Sequence, residues 1–279
     1  MSELPAPCAD RGALLAVYER DREVHPYGIA DLVQLWGRSR WWRTGSTVIG
    51  LLDLPGSPLP VVYAIAARAP KRTLAGLAAL VHAGSLPDRF VITGPRGLAS
   101  ALGEVMDARW STTYVKQVLR DVKALPDPDP TVRVLARRDL AALRALHASD
   151  PTAAGFFHPD LLDTGAYVGL EVDGRLVSSA GVHVLAPEHG VAAIGNVLTH
   201  PRARGHGYAR RTVAALCHLL RAEVDTIGLN VAAANLTARR LYAGLGFVEV
   251  HAYEEAELER QARRPLHDAT TRGSLRAAP

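Results

Sequence analysis

The segment THPRARGHGYARR, residues 199–211, contains two glycines and four arginines, and the apolar helical pattern TVAALCHLL follows it directly. Before it, GVAAIGNVLTH, residues 190–200, has the composition of a buried strand. A strand, a glycine loop and a helix in this order form a generic anion site, because the first amides of a helix have no intrahelical partner and carry a partial positive charge. Three interpretations follow: a phosphate cradle, a nucleic-acid patch or a solvated loop.

Two common phosphate loops do not fit this segment. The pattern G-x-x-x-x-G-K-[ST] of P-loops is absent, and GHGYAR, residues 205–210, does not match the Rossmann pattern G-x-G-x-x-G. Nucleic-acid binding is disfavoured, because the segment lacks interleaved aromatic residues and the formal net charge of the chain is only +4. A phosphate cradle of another type is therefore the leading interpretation.

A second block, LNVAAANLTARRLYAGLGF, lies downstream at residues 229–247. Together the two blocks resemble the GNAT superfamily of acyl-CoA-dependent N-acyltransferases, over roughly residues 131–258. The loop pattern R/Q-x-x-G-x-G/A of that family fits in two phases, from Arg202 or from Arg204. The family usually places the arginine three residues after a proline, here Pro201, which favours Arg204. The downstream block matches the family pattern at Leu229, Val231, Asn235, Ala238, Tyr242, Gly246 and Phe247.

The resemblance implies acetyl-CoA as co-substrate and a mixed α/β fold. In the family a splay between two parallel strands, here 191–199 and 226–232, admits the pantetheine arm. Asn235 would cap its helix or contact the coenzyme. The residues expected to bind its pyrophosphate are Arg204, Gly205, His206, Gly207, Tyr208 and Ala209. Those expected to bind pantetheine through their backbone are Val197, Leu198 and Thr199.

The resemblance also implies catalytic residues. Tyr242 would protonate the departing thiolate, since a phenol can serve as a general acid. Many relatives place a glutamate on the strand before the glycine loop, but this strand contains no acid. A lysine-like amine is only about 0.1% neutral near pH 7.4, so either the acceptor amine has a low pKa or a base lies elsewhere. His183 is the preferred candidate, with Glu171 and His251 as alternatives.

Composition bounds the remaining possibilities. Hydrophobic residues make up 48% of the 279 residues and charged residues 22%, which is typical of a globular protein. The two cysteines, Cys8 and Cys217, show no metal-ligand spacing, so we expect no metal site and a reducing compartment. The N-terminus does not resemble a signal peptide, and no apolar run reaches the ~20 residues that span a bilayer. We therefore expect a cytoplasmic protein without a membrane partner.

The segment ALPDPDP, residues 124–130, divides the chain, because its prolines disfavour regular structure. We expect an α/β domain at 1–125, a GNAT domain at 131–260 and a frayed tail at 261–279. The first half alternates helical and strand patterns but lacks the arginine–glycine loop, since TGPRGLAS at 93–100 does not match it. It resembles a degenerate copy, as in tandem, glycine N-acyltransferase-like proteins. It would cover the acceptor side of the second half or complete its sheet.

The sequence therefore predicts a tandem α/β (α+β) protein with a mixed, curled sheet flanked by helices. The predicted activity is transfer of an acetyl group to a primary amine of a small molecule or amino-acid-like acceptor, by direct attack in a ternary complex. Acetylation of a protein or peptide amine is one alternative. A non-catalytic acyl-CoA sensor or scaffold is another, because the usual carboxylate is missing. The chain is expected to be a monomer or a homodimer.

Overall fold

The computed structural model of the chain describes residues 4–150 and 157–262. The strands are β1 (Ala6–Pro7), β2 (Ser39–Thr44), β3 (Thr47–Leu52), β4 (Val61–Tyr63), β5 (Arg89–Gly94), β6 (Met106–Leu119), β7 (Val132–Val134), β8 (Tyr167–Val172), β9 (Arg175–Ala186), β10 (Val191–Thr199), β11 (Thr226–Ala232) and β12 (Phe247–Arg260). They form one open, mixed sheet in the order β1-β2-β3-β4-β5-β12-β6-β11-β10-β9-β8-β7. The predicted mixed sheet is thus confirmed, and it runs through both halves of the chain.

Helices cover both faces of this sheet. They are α1 (Arg11–Tyr18), α2 (Pro26–Gln34), α3 (Pro70–His82), α4 (Leu98–Leu102), α5 (Leu140–Ala148), α6 (Tyr208–Leu220) and α7 (Leu236–Ala243). Side chains of a strand alternate between faces. On β10, Ala192 and Ile194 accordingly join the core beneath α6 and α7, whereas Val191 and Ala193 join the core beneath α1 and α2.

The two halves repeat one order of elements. β2-β3-β4-α3-β5-α4-β6 in the first half corresponds to β8-β9-β10-α6-β11-α7-β12 in the second. In each half a crossover helix connects two strands that pair in parallel. In the first half these strands are β4 and β5, and in the second half they are β10 and β11. The last strands are exchanged, because β6 pairs with β11 and β12 pairs with β5, while β6 and β12 pair with each other. Each half therefore completes the sheet of the other, which was one of the two roles expected for the first half.

The structure differs from the predicted elements at two places in the first half. Residues 39–44 form β2, although adjacent tryptophans there break the alternation that predicts a strand. The Trp41 ring packs on the opposite strand at Gly50, where a Cβ would lie 2.5 Å from it. The sequence GLASALGEVMD at 97–107 has a helical pattern, but the helix ends at Leu102 and the chain starts β6 at Met106, because that strand pairs with β12.

The proline-rich segment between the halves is fastened to α6. Arg211 donates to the carboxylate of Asp129 and, at 2.8 Å, to Thr131 Oγ1. Arg210 donates to the Ala124 carbonyl oxygen at 3.4 Å, and His218 Nε2 lies 2.9 Å from that of Pro126. Arg210 and Arg211 therefore hold the proline-rich segment in place.

Gly246 fixes the start of β12. Its φ is +89°, and its carbonyl accepts from the amides of Arg120 at 3.0 Å and Asp121 at 3.1 Å. A Cβ at Gly246 would lie 2.0 Å from the Asp121 carbonyl oxygen, which belongs to the backbone and cannot rotate away. The glycine of the G-F pair in the sequence motif is thus required by the packing between the two long strands.

We predict that Gly246→Ala lowers the free energy of unfolding by about 3 kcal/mol or more, because left-handed strain and a backbone clash add. Gly84→Ala is the matched control, since its φ is +66° but a Cβ there meets open space. The control should lose only about 1 kcal/mol. Urea unfolding measures both, and equal losses in the two variants would contradict the packing argument.

Candidate functional site

The two parallel strands at the centre of the second half separate partway along their length. β10 and β11 pair from Val191–Thr226 to Ile194–Leu229, and no pairing between them follows in the described residues. β11 continues to pair with β6 as far as Ala232, and β10 returns to its pairing with β9 at Leu198. A gap therefore opens between residues 195–199 and 230–232, in the position where the sequence predicted a splay.

The glycine loop lies immediately after this gap. Gly205 and Gly207 adopt φ values of +84° and +76°, and Gly207 caps α6. A Cβ at either position would meet open space, so backbone conformation rather than crowding selects glycine here. The first amide of this segment with an intramolecular acceptor is that of Arg211, which donates to the Gly207 carbonyl at 3.2 Å. Within the described part of the chain, the amides of residues 205–210 have no acceptor.

Free amides next to a helix N-terminus are suited to an anion such as a pyrophosphate. The guanidinium of Arg204 lies at the start of the loop, where Nε donates to the Thr199 carbonyl at 3.3 Å and Nη2 contacts the Asp150 carboxylate. His206 and Tyr208 stack with their ring planes 12° apart. The donor set of the predicted loop thus fits the phosphates of coenzyme A, with backbone amides as its main component.

Tyr242 and Asn235, the two predicted residues of the downstream block, lie on α7. Asn235 caps the helix, since its Oδ1 accepts from the Ala238 amide at 3.1 Å. Tyr242 is buried in the core beneath α6 and α7. Burial, together with the nearby Cys217, raises the pKa of the Tyr242 hydroxyl, so this group keeps its proton at neutral pH.

His183 lies beside the gap, on the face opposite α6. Its Nδ1 is 3.1 Å from the hydroxyl of Tyr27, which belongs to α2 of the first half. Its ring covers Gly195 at the start of the gap, where a Cβ would lie 2.2 Å from Nε2. The first half therefore orients the preferred candidate base, and a glycine on β10 leaves room for it.

The other two candidate bases are placed differently. Glu171 is exposed and forms an ion pair with Arg133, which leaves it no evident role at the gap. His251 lies on β12, directly opposite Lys116 in the strand pairing. Phe157, which could line an acceptor pocket, packs against Tyr167 with ring centroids 5.8 Å apart, and Phe156 lies outside the described residues.

Sequence reasoning missed Asn196, which lies in the gap itself. The pairing of β10 with β9 shifts between Gly195 and Leu198, and Asn196 adopts a left-handed φ of +51° there. Its side chain is 7% exposed, yet neither Oδ1 nor Nδ2 has a hydrogen-bond partner in the described structure. Leaving buried polar atoms unpaired costs about 1–3 kcal/mol each, which marks this amide as a group that a ligand could satisfy.

Sequence reasoning also missed a buried polar cluster between α2 and the sheet, which we call the Lys116 cluster. Its members come from both halves: Tyr27, Asp31, Lys116, Asn230, Tyr253 and Glu255. Lys116 is 2% exposed, and its Nζ donates to Asn230 Oδ1 at 3.1 Å. The same Nζ lies 5.0 Å from the ring centre of Tyr27 and 5.2 Å from that of Tyr253. Because Asn230 follows Leu229, the last residue of β11 that pairs with β10, the cluster adjoins the gap.

The pKa values of the ionisable side chains in this cluster are shifted so that the neutral forms are favoured. Burial lowers the pKa of Lys116 to about 7, against the opposing effects of Asp31 and Glu255. Burial likewise raises the pKa of Asp31 to about 7 and that of Glu255 to about 7, each opposed by Lys116. Desolvation therefore outweighs the attraction between these groups.

In residues 4–150 and 157–262, no helix is long and apolar enough to cross a membrane. Among the same residues no group of three or more His, Cys, Asp or Glu side chains could hold a metal ion.

We predict that Lys116→Met raises thermal stability near neutral pH, because the buried ammonium loses its hydration without an ion-pair partner in contact. The folded pKa of Lys116 lies below its unfolded value of about 10.4, so its penalty is complete below pH 7 and vanishes above the unfolded pKa. The advantage of the variant should therefore be largest at pH 6 and shrink toward pH 10. Scanning calorimetry at both values tests this, and a pH-independent difference would contradict it.

Comparisons with known proteins agree with this geometry. Residues 133–247 match the sequence model of the Acetyltransferase (GNAT) family. A search of the curated proteins found no match. A solved protein from Novosphingobium aromaticivorans, assigned to the GNAT acetyltransferases, is 24% identical, with a TM-score of 0.56 over 77% of this chain and 89% of that chain.

Two other solved structures span both halves. A Drosophila protein is 16% identical, with a TM-score of 0.65 over 92% of this chain and 98% of that one. A tandem GNAT protein from the clavulanic acid biosynthesis pathway is 17% identical, with a TM-score of 0.53 over 92% and 97%. At these identities the likeness shows the fold, and the closer kinship with glycine N-acyltransferase-like proteins stays a prediction. Residues 133–247 thus resemble the GNAT acetyltransferase family in sequence, and the whole chain has a fold found among GNAT proteins, including a tandem one.

Proposed function

We propose that this protein transfers an acetyl group from acetyl-CoA to the primary amine of a small molecule. The observation that carries the proposal is the sequence of features along β10: a gap between parallel strands, followed at once by a loop with free amides at 205–210. Acetyl-CoA would supply the activated acetyl group as a thioester. The amides of 205–210 would hold its phosphates, and backbone groups of 197–199 would hold its pantetheine arm.

His183 is the group that would accept the proton of the acceptor amine. With Nδ1–H donating to the Tyr27 oxygen, Nε2 keeps the lone pair that a base requires. The tautomer is part of the proposal. Both the position of the ring over Gly195 and its contact with α2 favour a role at the gap rather than in the core.

Tyr242 is the group that would donate a proton to the leaving thiolate. Its raised pKa keeps it protonated, which a general acid needs, although a high pKa also makes the transfer less favourable in energy. The thiolate and the tyrosine must therefore lie close together, out of water, for the transfer to be effective.

The buried surroundings favour a small acceptor over a peptide. α2 packs across β9, β10 and β11 on the face that carries His183. Lys116 and Tyr253, two polar residues of the adjoining Lys116 cluster, are 2% and 1% exposed. A peptide would need an open groove at this place.

Release of free thiol from acetyl-CoA with a panel of amines tests the proposed function. We expect Tyr242→Phe and His183→Gln each to lower kcat by roughly 100-fold, because each removes one proton-transfer group. Tyr167→Phe is the matched control for the first, since it removes a buried tyrosine hydroxyl that has no partner in the described structure. His82→Gln, on the exposed face of α3, is the control for the second.

Thiol release that is unchanged in both site variants would contradict the assigned roles. Tight binding of acetyl-CoA without release to any amine would instead favour a non-catalytic acyl-CoA sensor. Calorimetric titration of acetyl-CoA, done beside the activity assay, separates these outcomes.

Asn196 provides an independent prediction. Asn196→Gly accommodates the left-handed φ and removes two buried unpaired atoms, so the thermal midpoint without coenzyme should not fall. Activity should fall about 10-fold or more if the amide hydrogen-bonds the bound thioester or acceptor. Ala69→Gly, at the φ of +52° before α3, relieves similar strain and should leave activity unchanged. Full activity of the Asn196→Gly variant would show that the Asn196 amide does not hydrogen-bond the thioester or the acceptor.

A further inference from the structure

The ammonium of Lys116 is buried with incomplete hydrogen bonding. An ammonium carries three N–H donors, and Lys116 Nζ has one acceptor among the described residues, Asn230 Oδ1 at 3.1 Å. No carboxylate in the described part of the chain forms an ion pair with it, although Asp31 and Glu255 are close enough to shift its pKa. Two donors are therefore left for a ligand.

The rings around Lys116 hold Nζ in place without satisfying those donors. The faces of Tyr27 and Tyr253 flank the ammonium at 5.0 and 5.2 Å, as cation–π contacts do. Tyr253 in turn stacks on Tyr114, with centroids 5.6 Å apart. A side chain fixed in this way is prepared to bind an anion, because little rotational freedom remains to be lost.

Tyr27 connects this donor to the candidate base. Its hydroxyl contacts His183 Nδ1 at 3.1 Å, and its ring is 6.2 Å from the imidazole and 5.0 Å from Lys116 Nζ. Lys116 and His183 thus both border Tyr27, and the molecule proposed below would have to span this side chain. An anionic group of that molecule would lie at Lys116 while its amine lies at His183.

Every charged or titratable group that acts on Lys116 is compatible with such an anion. Asp31 on α2 and Glu255 on β12 have pKa values raised to about 7 by burial, so each can be protonated near neutral pH and donate a hydrogen bond. Burial lowers the pKa values of His25 and His251, and the positive charge of Lys116 lowers both further. Lys116 is therefore the principal cation of the cluster.

We propose that the Lys116 cluster binds the carboxylate of the acceptor, so that the substrates are amino acids rather than simple amines. A carboxylate accepts both free N–H groups of Lys116 and orients the amine toward His183 Nε2. This inference rests on the proposed function for the role of the amine, whereas binding of the carboxylate can be measured without turnover.

The first experiment measures binding to the protein saturated with coenzyme A, which cannot transfer an acetyl group. The probes are the common α-amino acids, β-alanine and 4-aminobutyrate, each paired with the amine that lacks its carboxylate. At least one amino acid should bind more tightly than its paired amine by about 10-fold or more. Calorimetry at pH 7.5 in two buffers of different ionisation enthalpy should show proton uptake, because a bound carboxylate favours charged Lys116.

The variant Lys116→Met tests the assignment to this residue. It should weaken amino-acid binding by about 10-fold or more, reduce the proton uptake and leave the paired amine unaffected. Lys123→Met, which removes an exposed lysine, is the matched control and should bind like the wild type. The unfolding transition of Lys116→Met confirms that the variant is folded.

Three results would overturn the inference: no amino acid binds, the paired amine binds equally well, or Lys116→Met weakens both members of a pair equally. Failure of the proposed function is distinct from these. In that case acetyl-CoA does not bind, or no acceptor releases thiol, while amino-acid binding and its dependence on Lys116 persist.

Discussion

The separation of β10 from β11 beyond Ile194 is the constraint on which the rest of this site depends. A sheet that stays fully paired satisfies its own backbone groups and has no room for a ligand between neighbouring strands. Here the shift in register around Asn196 turns β10 away, and each strand remains fixed by its outer neighbour, β9 or β6. The cost of the unpaired backbone and of the unpaired Asn196 amide is compatible with a stable fold if a ligand with its own amides and carbonyls fills the gap.

In the first half, the corresponding helix N-termini present fewer free amides to a ligand. Helix α3, which follows β4, begins with Pro70, which has no backbone N–H to donate. Its counterpart α6 begins with Tyr208, which has one. At α4, the amides of Gly97 and Ala99 donate to the buried carboxylate of Glu254 at 2.6 and 3.2 Å. A carboxylate from β12 thus occupies the helix N-terminus there. The divergence between the two halves is therefore chemical as well as conformational, although their order of elements is the same.

The parts of the site that the sequence could predict are those set by local spacing. Gly205, Gly207 and Asn235 each act within a few residues of their own position, through a left-handed turn or a helix cap, and the motif spacing identifies them. Lys116 could not be found in this way, because YVKQVL is typical of a strand with its polar residues in solvent. Its burial is produced by α2 and by β12, which contact it from distant parts of the sequence.

Asn196 illustrates the same limit within a single strand. AAIGNVLT has the composition of a regular buried strand, and only the pairing with β9 shows the irregularity at its centre. The exchange of β6 and β12 between the halves could not be predicted from the sequence either. The hydrophobic alternation of each strand is compatible with pairing in its own half or in the other half. Tertiary pairing determines both features.

Hydrogen exchange with and without acetyl-CoA tests most directly the central claim that the gap and the following loop hold the coenzyme. The amides of residues 195–199 and 205–210 should become protected on addition of acetyl-CoA, while residues 64–72, their counterpart in the first half, should exchange unchanged. Protection confined to the first half, or none at 195–210 under conditions in which acetyl-CoA is bound, would contradict the account.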